Sequence, residues 1–200
     1  SPYLIETADD LKALSDGMIA ENDYSGVYFR QTKNIDLSGV AGYTGVGSSQ
    51  TFAGFYDGAG HTINVNIESG ADECLFPYTT GTIINLGVTG SVKNVSAAGA
   101  ICRSLRPGGK LVNCWSNAYV EGENPGSLAS SNYGIIASCF FFGTLNATGG
   151  SAYDIARDRE GSESFNNFYV GDEYVQSTAN SKVTNAQLKS EVTNWLNLGL

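Results

Sequence analysis

The chain has 200 residues and a net charge of −9, with 11 basic against 20 acidic side chains and a pI near 4.4. That length suffices for one domain with a substantial core, while the acidic balance denies the basic footprint that phosphate contacts require. Nucleic acid, pectin-like acidic polymers and anionic membranes are thereby disfavoured as partners, and a neutral partner is expected. Charged residues make up only 16%, and 25 glycines stand among many Asn, Ser and Thr, a mixture that favours strands and turns over helices. No apolar run reaches the about 20 residues of a membrane span. The opening SPYLIE lacks the basic region and apolar stretch of a signal peptide, so a mature or excised chain is expected. Cys74, Cys102, Cys114 and Cys139 show no metal-ligand spacing, and with a single His no zinc site is expected; disulfides stay open.

The first predicted element is a helix. Thr7 stands before ADDLKALSDGMIA, Asp10 can complete a capping box with it, and Leu11, Leu14 and Met18 fall on one face. From there the chain reads as short strands broken by Gly, Asn and Ser, until Thr184–Leu188 opens a second helical pattern with Leu188, Val192, Trp195 and Leu196 on one side. The intervening segment repeats itself. GTIINLGVTGSV from Gly81, GKLVNCWSNAYV from Gly109 and GIIASCFFFGTL from Gly134 align when Asn85, Asn113 and Ser138 are set in register. GHTINVNI joins through Asn64 and SESFNNFYVG through Asn166, with KNIDLSG around Asn34 a degenerate earlier member. Those registers differ by 21, 28, 25 and 28 residues (85−64, 113−85, 138−113, 166−138).

Such spacings suit one coil of a β-solenoid. The expected fold is all-β: a right-handed parallel β-helix of about five to six coils with short helices at the ends. The expected boundaries are an N-terminal cap over about 1–24, coils over about 25–175, and a C-terminal tail with helix over about 176–200. In this register Val65, Leu86, Cys114 and Cys139 form one internal column and Ile67, Val88, Ser116 and Phe141 the next. The variable repeat length argues against a propeller, and a leucine-rich repeat would need a stricter pattern.

The runs TFAGFYDGAGHTINVNI, CLFPYTTGTIINLGVTGSV and GKLVNCWSNAYVEG resemble the bacterial GLUG repeat family, whose members read F-x-G-x-F-D-G-x-G-H-x-I, then G-L-F-G, then G-x-I-x-N-L-x-V-x-G-x-V. PYLIETADDLKAL and NAQLKSEVTNWLNLG resemble the family's ends, whereas CLFPY departs from its glycines around Phe76. In size and boundaries the chain is similar to β-helical carbohydrate-binding modules attached to the xylanases of gut bacteria. The resemblance implies a catalytically inert, secreted or cell-surface bacterial module that acts as a monomer beside a parent multidomain enzyme and takes a xylan-like ligand.

If Leu86, Cys114 and Cys139 point inward, their successors Gly87, Trp115, Phe140 and Phe168 point outward in one column, with Thr89, Asn117, Phe142 and Val170 in a parallel one. Sugar rings stack their C–H faces on aromatic planes. Trp115, Phe140, Phe142, Phe168 and Tyr119, with Asn117 and Thr144 beside them, therefore form the expected carbohydrate platform. The bland alternative is an aromatic ladder stacked on itself or covered by the segment from about Asp172 onward. A second exterior column pairs Tyr78, Arg103, Ser130 and Arg157 as an alternative binding face, set against plain solvated charges near Asp154 and Asp158. His61 is expected to be a corner residue. No cofactor is expected; calcium is the one ion that Asp57, Asp72 and Glu73 invite, without any EF-hand loop to hold it. Asn94 and Asn146 match the glycosylation pattern but read as ordinary turn and strand residues. Cys114 and Cys139 read as buried fillers. Three function classes stay in play: a carbohydrate-binding module, a surface or adhesin repeat, and a polysaccharide-degrading enzyme. The last lacks the outward paired carboxylates that glycoside hydrolysis needs.

Overall fold

The computed structural model describes residues 1–20, 22–40, 42–43, 45–47, 49–69, 74–170 and 181–182. Through them the backbone winds as a parallel β-solenoid of about six turns, in which every strand pairing among the described residues is parallel. The first face carries Tyr3–Ile5, Tyr28–Gln31, Phe55–Asp57, Thr82–Ile84, Lys110–Val112, Ile135–Ala137 and Glu163–Phe165. The second carries Ile35–Asp36, Thr62–Ser69, Gly87–Asn94, then the broken strands Trp115–Ser116 with Tyr119–Gly122 and Phe140–Phe141 with Thr144–Ala147, and finally Phe168–Tyr169 and Ser181–Lys182. The third carries Thr51–Phe52, Phe76–Thr79, Cys102–Leu105, Ala129–Asn132 and Ala156–Asp158. Coils advance by 25 to 28 residues (135−110 and 110−82).

The corner between the first and second faces is where the repeat is made. Asn85, Asn113, Ser138 and Asn166 all have φ between 53° and 56°, the left-handed region that Asn tolerates better than most residues. Their side chains form a ladder along the axis: Asn113 Nδ2 donates to Asn85 Oδ1 at 2.6 Å, and Asn85 Nδ2 donates to Asp57 Oδ1 at 3.0 Å. The following residue turns inward, so Leu86, Cys114 and Cys139 are fully buried as expected. In the next coil Asn167 takes that inward place, its Oδ1 accepting from Cys139 N and its Nδ2 donating to Ile136 O, both at 2.9 Å.

One part of the expected register is corrected. Asn64 does not align with Asn85: Ile63 pairs with Val88, Asn64 with Thr89, Val65 with Gly90 and Ile67 with Val92. Val65 and Ile67 are buried, but neither belongs to the column with Leu86 or with Val88 that the sequence assigns. The cause is a longer corner. Residues 58–61 span the gap between Asp57 and Thr62, where residues 85–86 suffice one coil later. Ala59 (φ 51°) and Gly60 (φ 82°) make this wider turn, Asp57 Oδ1 accepts from Ala59 N at 2.9 Å, and His61 N donates to Gly58 O at 2.8 Å.

The helix Ala8–Ile19 closes the N-terminal end. Thr7 Oγ1 accepts from Asp10 N at 3.2 Å while Asp10 Oδ2 accepts from Thr7 N and Glu6 N, both at 2.9 Å. The bond from Glu6 N, with those from Thr7, holds the Asp10 carboxyl below its ordinary range. Leu11, Leu14 and Met18 bury against the first coils, as the spacing predicts. The second predicted helix lies outside the described residues. So do Asp72 and Glu73, two of the three candidate calcium ligands, and the segment from Asp172 onward, the alternative cover for the aromatic ladder.

Asn113 Oδ1 is buried without a hydrogen-bond partner, and Ser138, which carries no amide, occupies the same corner one coil on. Ser138→Asn extends the ladder and is expected to raise stability by about 1 kcal/mol, read as a higher urea midpoint at unchanged slope. Asn113→Ala loses the bond and strains the left-handed residue, and is expected to cost about 2 kcal/mol in the same measurement.

Candidate functional site

Strand alternation puts a continuous strip of side chains on the outside of the second face. Trp115 pairs with Gly87 on one side and Phe140 on the other, and Phe140 pairs with Phe168, so the expected exterior column forms. Phe142 stands in the neighbouring column, 37% exposed. Three of these rings lie nearly parallel. Trp115 and Phe140 have centroids 6.2 Å apart at 14°, Trp115 and Phe142 5.6 Å at 26°, and Phe140 and Phe142 5.9 Å at 18°.

Gly87 is what lets the indole lie there. A Cβ at that position would fall 2.5 Å from Trp115 Cζ2 and 2.6 Å from Cε2, so the missing side chain is the bed on which the indole rests. Trp115 is consequently half-buried, with its Cζ2 and Cε2 atoms over Gly87 of the preceding coil.

A polar rail runs beside the aromatics. Tyr119 pairs with Ser91 and Thr144, and Glu121 with Lys93 and Asn146. The Tyr119 hydroxyl donates to Glu121 Oε2, which also accepts from Asn146 Nδ2 at 2.6 Å. Lys93 Nζ sits 5.8 Å from the Tyr119 ring centroid. The Tyr119 hydroxyl and then the Asn146 amide hold the Glu121 carboxyl below its ordinary range, and the same Glu121 bond pushes the Tyr119 phenol up. Between ring patch and rail, Asn117 and Thr144 are exposed. Glu121, Asn146 and Lys93 were not singled out as binding residues, although the alternation through Tyr119–Gly122 and Thr144–Ala147 places them on the same side.

The alternative face is rearranged. Tyr78 pairs with Ser104, Ser104 with Ser131 and Ser131 with Arg157, so Arg103 and Ser130 fall out of the expected column. Ser130 sits at an irregularity between Ala129 and Ser131, is buried, and donates to Asn124 O at 3.0 Å. Arg103 nevertheless reaches Tyr78, donating from Nη1 to its hydroxyl.

A concavity of about 540 Å³ lies at the N-terminal end of the first face, among Tyr3, Tyr28, Phe55, Arg30 and Asp57. The Tyr28 and Phe55 rings are 5.2 Å apart, and an Arg30 guanidinium nitrogen stands 4.0 Å from Asp57. Of these, the sequence singles out only Asp57, as a calcium candidate; the alternation in VYFR and FYD is the signal for the others. Cys114 and Cys139 are inside the solenoid, where burial pushes the Cys139 thiol up. Asn94 is buried and donates to Ala97 O at 2.9 Å.

No family model matches the chain, and no curated protein matches it. Among solved structures, the crystal structure of a Bacteroides ovatus protein provisionally named an immunoglobulin A1 protease superposes with a TM-score of 0.66, covering 98% of this chain and 88% of that one at 17% identity. At that identity the likeness shows the fold alone, a β-solenoid.

Proposed function

We propose that the chain is a non-catalytic carbohydrate-binding module that lays a neutral, xylan-like polysaccharide along the outside of the second face. The observation that carries this reading is the near-parallel set of Trp115, Phe140 and Phe142 on adjacent coils, within reach of the exposed Asn117 and Thr144. Pyranose C–H faces stack on such rings, and hydroxyls at the ring edges find amide and hydroxyl partners. Holding substrate beside a parent enzyme raises its effective concentration without any chemical step. The GLUG-like motifs and the likeness to xylanase-attached modules support the reading only through the sequence runs that carry them. A buried Cys139 whose thiol is disfavoured as thiolate speaks against cysteine nucleophilic chemistry.

A second reading has its own observation. The three rings already stack on one another, which is what a bacterial surface or adhesin repeat with no glycan partner would also show. Affinity electrophoresis in soluble xylan separates the two. Retention by the native chain is expected, and Trp115→Ala should weaken it about thirtyfold, near 2 kcal/mol. Gly87→Leu, which evicts the indole from its bed, should weaken it comparably while leaving Trp115 itself intact. Absence of retention on xylan and on other neutral glycans sinks the module reading. If Tyr28→Ala abolishes retention while Trp115→Ala is silent, the site is the N-terminal concavity instead.

The rail adds a pH dependence. Because the folded-state pKa of Glu121 is depressed, its contribution is full above the ordinary carboxyl value of 4.5 and is lost as pH falls through the folded value. Binding, read here by depletion onto insoluble xylan because the chain barely migrates near its pI of 4.4, should therefore be flat from neutral pH down to about 4.5 and decline below it. In Glu121→Gln that acid-side decline should disappear.

A further inference from the structure

Four of the five arginines, Arg103, Arg106, Arg157 and Arg159, gather on the third face and the corner that follows it. Each guanidinium lies over a tyrosine ring. Arg103 and Arg106 flank Tyr78 with Cζ 5.3 and 4.4 Å from its centroid, Arg157 is 5.6 Å from Tyr153, and Arg159 is 5.9 Å from Tyr133. The corner itself is a ladder. Leu105, Asn132 and Asp158 pair in register, so their successors Arg106, Tyr133 and Arg159 stand one above another on consecutive coils, about 4.8 Å apart.

Arg106, Arg157 and Arg159 stand outside the ion pairs of the described residues, which within 4.0 Å join Lys12 to Asp16, Arg30 to Asp57 and Lys33 to Glu6. The nearest acid in register, Asp158, accepts instead from Asn132 Nδ2 at 2.8 Å. In a chain with 20 acidic residues against 11 basic ones, three arginines with no carboxylate within 4.0 Å among the described residues are conspicuous. A ring beneath a guanidinium fixes its plane. Arg106 spends one N–H on Thr51 Oγ1 at 2.8 Å and Arg159 Nε is buried without a partner, which leaves the remaining donors of each fork for a carboxylate.

We propose that this corner is a second binding site, independent of the aromatic strip, and that it takes a carboxylate-bearing polysaccharide laid across the coils. The repeat of guanidinium, ring and guanidinium along the axis matches a chain that alternates carboxylates with sugar faces, and Tyr133 is 39% exposed to meet such a face. A peptide added as a strand is the weaker fit, because the third-face edge beside these arginines, Ala156–Asp158, runs along a single coil, whereas Arg106, Tyr133 and Arg159 are stacked across coils. This departs from the expectation that the net charge of −9 disfavours pectin-like acidic polymers: that charge is an average over the whole chain, and charges beyond about 8 Å are largely screened at physiological ionic strength.

The test is affinity electrophoresis of the full chain in polygalacturonate at about 0.1 M salt, where the Debye length is near 10 Å. Retention is expected, and it should fall several-fold in about 1 M salt as that length shrinks to about 3 Å. Arg106→Gln with Arg159→Gln should weaken retention at least about fivefold, with an unchanged circular dichroism spectrum and urea midpoint. Trp115→Ala should leave it unaltered, which separates this site from the xylan reading whatever becomes of that one. No retention, or retention indifferent to the double substitution, overturns the proposal. Equal retention by polyglutamate overturns the assignment of a glycan, because the surface would then be responding to charge alone.

Discussion

The left-handed corner is the constraint from which the other features descend. A residue at φ near 54° turns the chain from the first face to the second in two residues, and it does so at Asn85, Asn113, Ser138 and Asn166. For an L-residue with a Cβ this conformation costs about 1 to 2 kcal/mol, and the asparagine amides offset part of that by bonding along the axis. Because the corner has constant length over these coils, Leu86, Cys114 and Cys139 superpose inside, and the residues after them superpose outside. Both the core and the proposed docking surface follow from that single turn.

Where the corner changes length, the repeat breaks its own pattern without leaving the solenoid. Residues 58–61 occupy more chain than residues 85–86, yet Asp57 enters the same hydrogen-bonded ladder as the asparagines. Parallel pairing tolerates this because it is fixed strand by strand. Thr62–Ser69 slides relative to the sequence repeat until Ile63, Val65 and Ile67 are all inside. A slip of one residue would have put all three outside.

The exterior shows how a solenoid can carry different chemistries on different sides. Consecutive coils bring residues about 25 to 28 apart in sequence into contact, so the composition of each column is independent of its neighbours. On the second face the result is a row of rings beside a row of hydrogen-bonding groups; on the corner after the third it is arginine alternating with tyrosine. Net charge averages over both and describes neither, because screening confines each charge to its own neighbourhood.

The repeats, their coil length, the N-terminal helix with its capping box and the inward set of Leu86, Cys114 and Cys139 were legible in the sequence. They are local or periodic properties, fixed by residue type and by the alternation of strands. The outward column of Trp115, Phe140 and Phe168 was legible for the same reason. What the tertiary structure decided was every quantity that depends on corner length or on side chains meeting across coils. The pairing of Asn64 with Thr89 rather than Asn85 depends on a wider turn with no Asn to mark it. The Gly87 bed beneath Trp115, the Tyr119–Glu121–Asn146 rail and the stacking of Arg159 on Tyr133 each join residues from different coils. Sequence spacing alone cannot register such contacts, because each coil is free to differ in length by a few residues and only packing determines where the difference is absorbed.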